Sequence, residues 1–322
     1  MTNTFFSENI TSPQPQRWGE KRYHSMDYDL KKTYGEKVYK ITLNGNMTCP
    51  NRDGKVGYGG CIFCSTQGSG DFAGCATQSI TEQIAQGKKD LLSKRPVHSY
   101  IAYFQAFTNT YAPVEYLRKI YLEAIQDPEV KILSIATRPD CLPDDVLDLL
   151  DEMNKIKPVW IELGLQTIHP ETAAFIRRGY DLSVFDRAVK ELRKRNIQVI
   201  VHTILCLPGE SKADMFATLD YLNHMDIQGI KLQLLHILKG TDLADVYEKE
   251  PFFSPTMDEY IELLGECIAR IHPDITIHRL TGDGPKDLLI APLWTGQKRT
   301  VLNTLHSYLK EQDIWQGKEY YE

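Results

Sequence analysis

The sequence predicts an α/β protein: a partial TIM-type (β/α)6 barrel with N-terminal and C-terminal extensions. Three observations carry this. Short β-rich runs alternate six times with amphipathic helical runs, which implies a parallel sheet with right-handed crossovers. No Gly-x-Gly-x-x-Gly turn follows the first strand, which lowers the reading as a dinucleotide-binding fold. The densest cysteine cluster follows that strand directly, and barrels of this kind carry their chemistry on loops at the C-terminal ends of strands.

The elements follow in order. "KVYKITLNG" (37–45) is the first expected strand and leads into the cysteine loop. "SITEQIAQGKKDLLSKR" reads as a helix capped by Ser79 or Thr81. "HSYIAYFQA", "VKILSIATR", "VWIELGLQ", "QVIVHTILCLPG" and "GIKLQLLHIL" are the next five strands. Between them lie the expected helices "PVEYLRKIYLEAIQ", "PDDVLDLLDEMNKI", "SVFDRAVKELRKRN" and "SKADMFATLDYLNHM". In the third of these, Val184, Phe185, Ala188, Val189 and Leu192 recur at helical spacing. From about Pro251 the rhythm breaks into a helix "MDEYIELLGECIARI", a short strand "ITIHRL" and a last helix "RTVLNTLHSYLKEQ". The expected division is an N-terminal extension over 1–36, a core barrel over 37–250 and a C-terminal α/β extension over 251–322.

The composition is that of an ordinary globular protein, and the formal net charge of −6 argues against broad adhesion to nucleic acid. A local basic groove would not show in that sum. The N-terminus lacks a basic stretch followed by an apolar segment, and no window approaches the roughly 18 apolar residues of a membrane span, so a cytoplasmic protein without membrane contact is expected. Thiols stay reduced there, and a tight cysteine cluster then points to metal or catalysis more than to disulfides.

Four of the seven cysteines fall between Asn46 and Cys75, with eleven residues between Cys49 and Cys61 and two between Cys61 and Cys64. Three thiolates on a Gly-rich loop can hold an iron–sulfur cluster and leave one iron open. Four, with Cys75 added, would suit a closed structural zinc site. Unrelated buried thiols are the third reading. Phe63, beside the last cysteine of the Cys-x-x-Cys pair, and the position on the first barrel loop favour iron–sulfur.

Cys49, Cys61, Phe63 and Cys64 resemble a lengthened form of the radical SAM cluster motif, in which an aromatic residue precedes the last cysteine. A long first gap is the habit of the branch that includes the catalytic subunit of Elongator, and the chain is similar to the bacterial YhcC/YtqA type of that branch. The likeness runs through "TRPD" (137–140), "IELGLQT" (161–167), "IRRGY" (176–180), "LPGE" (207–210) and "LKGTDL" (238–243) to "HRLTGDGP" and "LIAPLW".

The resemblance implies a [4Fe-4S] cluster held by Cys49, Cys61 and Cys64, with S-adenosyl-L-methionine (SAM) chelated to the open iron and cleaved to methionine and a 5′-deoxyadenosyl radical. It implies Phe63 flanking the adenine, Gln105 or Asn109 receiving the SAM amine, and Gln166 and Arg178 contacting ribose and carboxylate, with Arg177 as the rival arginine. His202 stands where relatives often carry an acidic ribose ligand, and the "TRPD" loop is expected to shape the substrate side. An electron donor such as flavodoxin or ferredoxin is required.

The implied substrate is the wobble uridine of tRNA, whose 5-carboxymethylaminomethyl side chain would become 5-aminomethyl. Arg17, Lys21, Arg22, Lys31, Lys32, Lys37 and Lys40, interleaved with aromatics, are candidates to meet its phosphates, or else form a solvated amphipathic segment. A small metabolite or porphyrin-like substrate is the main alternative, and a noncatalytic zinc-stabilised nucleic-acid-binding module is the remote one. Cys206 and Cys267 lie in apolar runs and read as buried thiols; Cys141 follows "TRPD" and could reach substrate. Cys75 reads as a spare thiol or an auxiliary ligand, His236 as a core or rim residue, and Trp294 as packing or a base-stacking platform.

Overall fold

A computed structural model describes residues 17–68, 70, 73–93, 97–282 and 284–320. The ends of the N-terminal extension (1–16) and of the first predicted barrel helix (94–95), and Asp283 in "TGDGP", lie outside the described residues.

A helix α1 (Met26–Tyr34) precedes the first strand β1 (Tyr39–Leu43). The β/α units then run through α2 (Ile80–Leu92), β2 (Tyr100–Phe104), α3 (Val114–Ile125), β3 (Val130–Thr137), α4 (Asp144–Ile156) and β4 (Val159–Gln166). A short α5 (Pro170–Phe175) precedes α6 (Leu182–Lys194), β5 (Gln198–Leu205), α7 (Lys212–Asn223) and β6 (Gly229–Leu234). The chain ends with β7 (Ile237–Leu238), α8 (Asp242–Lys249), α9 (Met257–Arg270), β8 (Thr276–Arg279), β9 (Leu289–Ala291) and α10 (Lys298–Glu311). Ser79 caps α2 in a reciprocal capping box with Glu82, which selects it over Thr81.

Among the described residues, seven strands form one parallel sheet in the order β1-β2-β3-β4-β5-β6-β8. This is the expected parallel half-barrel, lengthened by one strand. "ITIHRL" does not merely pack on the barrel: its backbone continues the β6 ladder, with Gly229 opposite Thr276 and Lys231 opposite Arg279. "GIKLQLLHIL" is not one strand either. It breaks after Leu234, and Ile237–Leu238 pair antiparallel with β9, in the "LIAPLW" stretch that sequence patterning leaves without a strand. The helices α5 and α8 are likewise too short to show a helical period of their own.

Strand periodicity sorts every side chain inward or outward. In β4, Val159, Ile161 and Leu163 face the helices and join the main core, while Trp160 and Glu162 face the barrel interior. β2 and β5 repeat this, with Ile101 and Tyr103, and Ile200 and His202, turned inward. Both faces being covered explains the near-continuous apolar runs. The N-terminal end of the interior is stoppered by α1, whose Leu30 is buried against Val38, Ile101, Ile132, Trp160 and Ile200. The C-terminal end stays open.

Candidate active site at the barrel mouth

The loop after β1 is shaped by backbone turns and by one arginine. Gly54, Gly59 and Gly60 all adopt positive φ, and a Cβ on Gly60 would stand 2.9 Å from Arg52 Nε. Arg52 donates to the carbonyls of Ser65, Cys64 and Thr66, the latter two at 3.4 Å, and its guanidinium lies 5.3 Å from the Phe107 ring centroid. These contacts fold the loop over the strand ends, so that Cys49, Cys61, Cys64 and Phe63 line one cavity of about 280 Å³. All three thiols are half-buried. Asn51 Nδ2 reaches Cys61 Sγ at 3.5 Å and also donates to Arg177 O at 2.6 Å, which ties the loop to the turn after α5.

Three thiols that share one cavity are the donor set of a cluster held at three corners. Cys75 is exposed, bonded to Thr77 Oγ1 at 3.1 Å, and outside the cavity lining, so it does not complete a four-thiol site.

The other expected cofactor residues divide. Gln105 and Gln166 line the cavity, and Gln166 sits at φ +66 beside the β4 irregularity, a strained backbone of the kind that collects at functional sites. Arg178 also lines the cavity, while Arg177 pairs with Asp242 at the surface. The Arg178 guanidinium is largely spent on structure: Nη1 donates to Leu165 O (3.1 Å) and Thr167 O (2.6 Å), and Nε to Tyr180 O (3.1 Å). Asn109 is fully buried and outside the cavity lining; its amide nitrogen donates to Ala106 O and Ala136 O at 3.1 and 3.0 Å and pins β2 to β3, while its Oδ1 has no hydrogen-bond partner.

The "TRPD" loop contributes Arg138, which bonds bidentately to Asp140 at 2.9 and 2.7 Å and donates to Arg178 O at 2.9 Å. Its guanidinium and that of Arg178 lie 5.0 and 4.8 Å from the Tyr180 ring centroid. Cys141 turns away into the core, where burial pushes its thiol up to about 12; it is a protonated core thiol and not a substrate-facing one. Cys206 and Cys267 are buried as expected. Trp294 donates to Pro255 O at 2.9 Å and packs on Tyr260, which makes it packing and not a stacking platform. His236 lines the cavity rim below Gly282, where a Cβ would come within 2.7 Å of its ring.

Beneath the mouth lies a charged layer that sequence reasoning missed. Glu162, without exposed side-chain surface, receives Lys40 Nζ at 2.6 Å and Ser134 Oγ at 2.9 Å on one oxygen, and His202 Nε2 at 2.8 Å and Lys231 Nζ on the other. Tyr103 OH lies 3.3 Å from Lys231 Nζ. Two single-letter signals carried this layer: Glu162 in "VWIELGLQ" and Lys231 in "GIKLQLL", charges in strands otherwise built of apolar residues. His202 thus sits on the floor of the cavity, bonded to Glu162. Lys40 likewise points into the barrel and drops out of the expected phosphate strip. The rest of that strip lies on and around α1, at the barrel end opposite the cysteine loop, with Arg22 paired to Asp313 and Lys31 to Asp27.

The environment fixes His202 as neutral. Burial first, then the Lys231 charge, push its pKa down to about 4 against the opposing pull of Glu162. A carboxylate only accepts, so Nε2 carries the proton. Because the folded-state value lies below the ordinary 6.5, the unfolded chain binds more protons between the two, and stability falls as pH drops from 6.5 towards 4. The expected loss from this group is about 2 kcal/mol at pH 5 relative to pH 7. Urea midpoints of wild type and His202→Gln at both pH values check it: the substitution should flatten the difference, and an unchanged difference would refute the assignment.

Comparison with known proteins agrees with this geometry. The family model described as the Radical SAM superfamily matches residues 49–222, and the Radical_SAM C-terminal domain matches 227–311. The protein YtqA of Bacillus subtilis is 45% identical over 95% of each chain. A tRNA uridine(34) acetyltransferase of Methanocaldococcus jannaschii is 23% identical over 56% of this chain and 33% of its own. Among solved structures, Elp3 of Methanocaldococcus infernus, with its N-terminus (1–46) deleted, superposes with a TM-score of 0.63 at 16% identity, covering 87% of this chain and 64% of that one, a likeness of fold. No described helix is long and apolar enough to cross a membrane.

Proposed function

The chain belongs to the radical SAM superfamily, whose members use a [4Fe-4S] cluster and SAM, and from that premise we propose that this enzyme acts on the C5 side chain of the tRNA wobble uridine, taking 5-carboxymethylaminomethyl to 5-aminomethyl. The observation that carries the cofactor part is the convergence of Cys49, Cys61, Cys64 and Phe63 on one cavity with Gln105, Gln166 and Arg178. In this reading Cys49, Cys61 and Cys64 would hold the cluster, which together with SAM would supply the radical chemistry for hydrogen abstraction next to nitrogen.

The chain's own residues do the rest. Asn51 orients the Cys61 sulfur, and Arg52 keeps the loop closed over the strand ends. Phe63 offers a face to the adenine, Gln105 and Gln166 offer amides, and Arg178 holds the β4 turn that presents Gln166. The α1 stopper excludes water from below, so a base must enter from the mouth. Support for tRNA comes from the distant relative named for uridine 34. Arg52 and Lys55, beside the mouth, replace the α1 strip as candidates to meet phosphate.

The test is anaerobic. Reconstituted enzyme, SAM and a reduced flavodoxin or ferredoxin are incubated with tRNA from cells lacking the protein, and nucleosides are analysed by mass spectrometry. Formation of 5′-deoxyadenosine together with conversion of the carboxymethylaminomethyl nucleoside to the aminomethyl one is the expected result. Production of 5′-deoxyadenosine with unaltered tRNA would refute the tRNA assignment and point to a small-molecule substrate.

A further inference from the structure

We propose that Lys231, with Arg279 beside it on the next strand, forms an anion seat on the barrel floor that receives a carboxylate of the substrate and selects molecules carrying one; the seat deepens the function proposed above and rests on the same cavity. Lys231 and Arg279 are register partners across β6 and β8, and both line the cavity. Lys231 is only 3% exposed, yet two ammonium groups lean on the single carboxylate of Glu162.

Lys40 alone suffices to neutralise Glu162, at 2.6 Å. His202 is neutral and adds no charge. With both lysines protonated, the Lys40, Lys231, Glu162 and His202 cluster carries one positive charge more than its single carboxylate balances. Burial pushes the Lys231 pKa well below its ordinary value, so the ammonium form lacks a full complement of anions here and a second carboxylate would favour it. A carboxylate entering from the mouth would complete the pairing in a site shielded from water. Proteins that need only a stable interior seldom leave such a surplus, whereas a recognition site gains specificity from it.

The geometry also selects by shape. Tyr103, whose ring centroid lies 4.8 Å from Lys231 Nζ and 4.4 Å from Lys40 Nζ, walls the seat on one side. His202 and Gln233 line the cavity from β5 and β6, one strand step or less from Lys231, and offer hydrogen bonds to the polar atoms that link a carboxylate to the rest of a ligand.

Two measurements on the reconstituted holoenzyme test the seat. In the first, saturation-transfer NMR compares binding of N-methylglycine with that of its amide, which keeps the ammonium and lacks only the carboxylate. Wild type should favour the carboxylate by about 10- to 100-fold, the range of one or two charge-assisted hydrogen bonds, and Lys231→Met should reduce the preference to about twofold or less. In the second, kcat/KM is compared for tRNA bearing the free carboxymethylaminomethyl group and for the same tRNA methyl-esterified. Wild type should prefer the acid by a similar factor, and Lys231→Met should erase the preference while circular dichroism shows a folded chain. Arg279→Met provides a second variant should Lys231→Met fail to fold, with the preference reduced in the same direction. Equal binding of acid and amide by wild type overturns the seat, as does a preference unchanged in the folded variants. If wild type turns over neither tRNA, the wobble-uridine reading fails by itself and the probe titration still decides the seat.

Discussion

Cys61→Ala is expected to reduce the iron bound after anaerobic reconstitution from about four atoms per chain to a small residue, and to abolish 5′-deoxyadenosine formation from SAM. Cys61 is the middle member of the set. Its sulfur takes the Asn51 amide, faces Arg177 O at 3.8 Å and neighbours Cys64 closely enough that the partner thiol, followed by burial, raises its pKa well above the ordinary value. A raised value means that the free thiol holds its proton, and a metal charge would favour both thiolates instead. Removing one corner leaves two thiolates for a cluster that needs three, so the effect is loss and not weakening. The measurement is iron and sulfide content together with the reduced EPR spectrum before and after adding SAM. Cys75→Ala is the matched control. It is exposed and outside the cavity, and should retain full iron; a loss equal to that of Cys61→Ala would show that Cys75 is a ligand and would overturn the three-thiol reading.

The parts of the fold and site that were legible in the sequence are those written in local pattern. The parallel strands announced themselves as short apolar runs, and Cys49, Cys61, Phe63 and Cys64 announced a ligand loop by spacing. What escaped depends on contacts far apart in sequence. Lys40 and Glu162 stand 122 residues apart, and Lys231 and Glu162 stand 69 apart, so nothing local marks them as one cluster. The seventh strand was readable as a strand, but its place in the main sheet was not, because Thr276 finds Gly229 only after α8 and α9 have turned the chain back. The burial of Asn109 was not legible either, because a polar residue after a strand looks the same in sequence whether its amide nitrogen faces a ligand or a neighbouring carbonyl. The basic N-terminal segment misled for a similar reason: Leu30 commits α1 to the closed end of the barrel, and charge counting does not register that one apolar residue.

Glu162→Leu should destabilise the fold by about 3–5 kcal/mol, the usual result of removing one partner from a buried ionic cluster. The carboxylate has no exposed surface, and the substitution would leave the Lys40 and Lys231 ammonium groups facing one another, with the His202 and Ser134 donors unsatisfied. The sign of the pH dependence follows from the same contacts. Burial pushes the Glu162 carboxyl up, but the Lys231 and Lys40 charges and the His202 hydrogen bond together hold it well below the ordinary carboxylate range. A depressed folded-state value means that this stabilisation is present above the unfolded pKa near 4.3 and is lost as pH falls towards the folded one. Urea denaturation at pH 7 reads the loss directly, and a decrease under about 1 kcal/mol would mean that the floor is not an ionic cluster at all. The double substitution Glu162→Leu with Lys231→Met separates charge from packing. If the loss is that of a stranded charge, removing Lys231 as well should recover much of it, because an apolar pair of similar volume can replace a buried ion pair at little cost. Recovery of stability without recovery of acid-over-ester preference would then divide the two roles of Lys231: its partnership with Glu162 supports the fold, and its surplus charge reads the substrate.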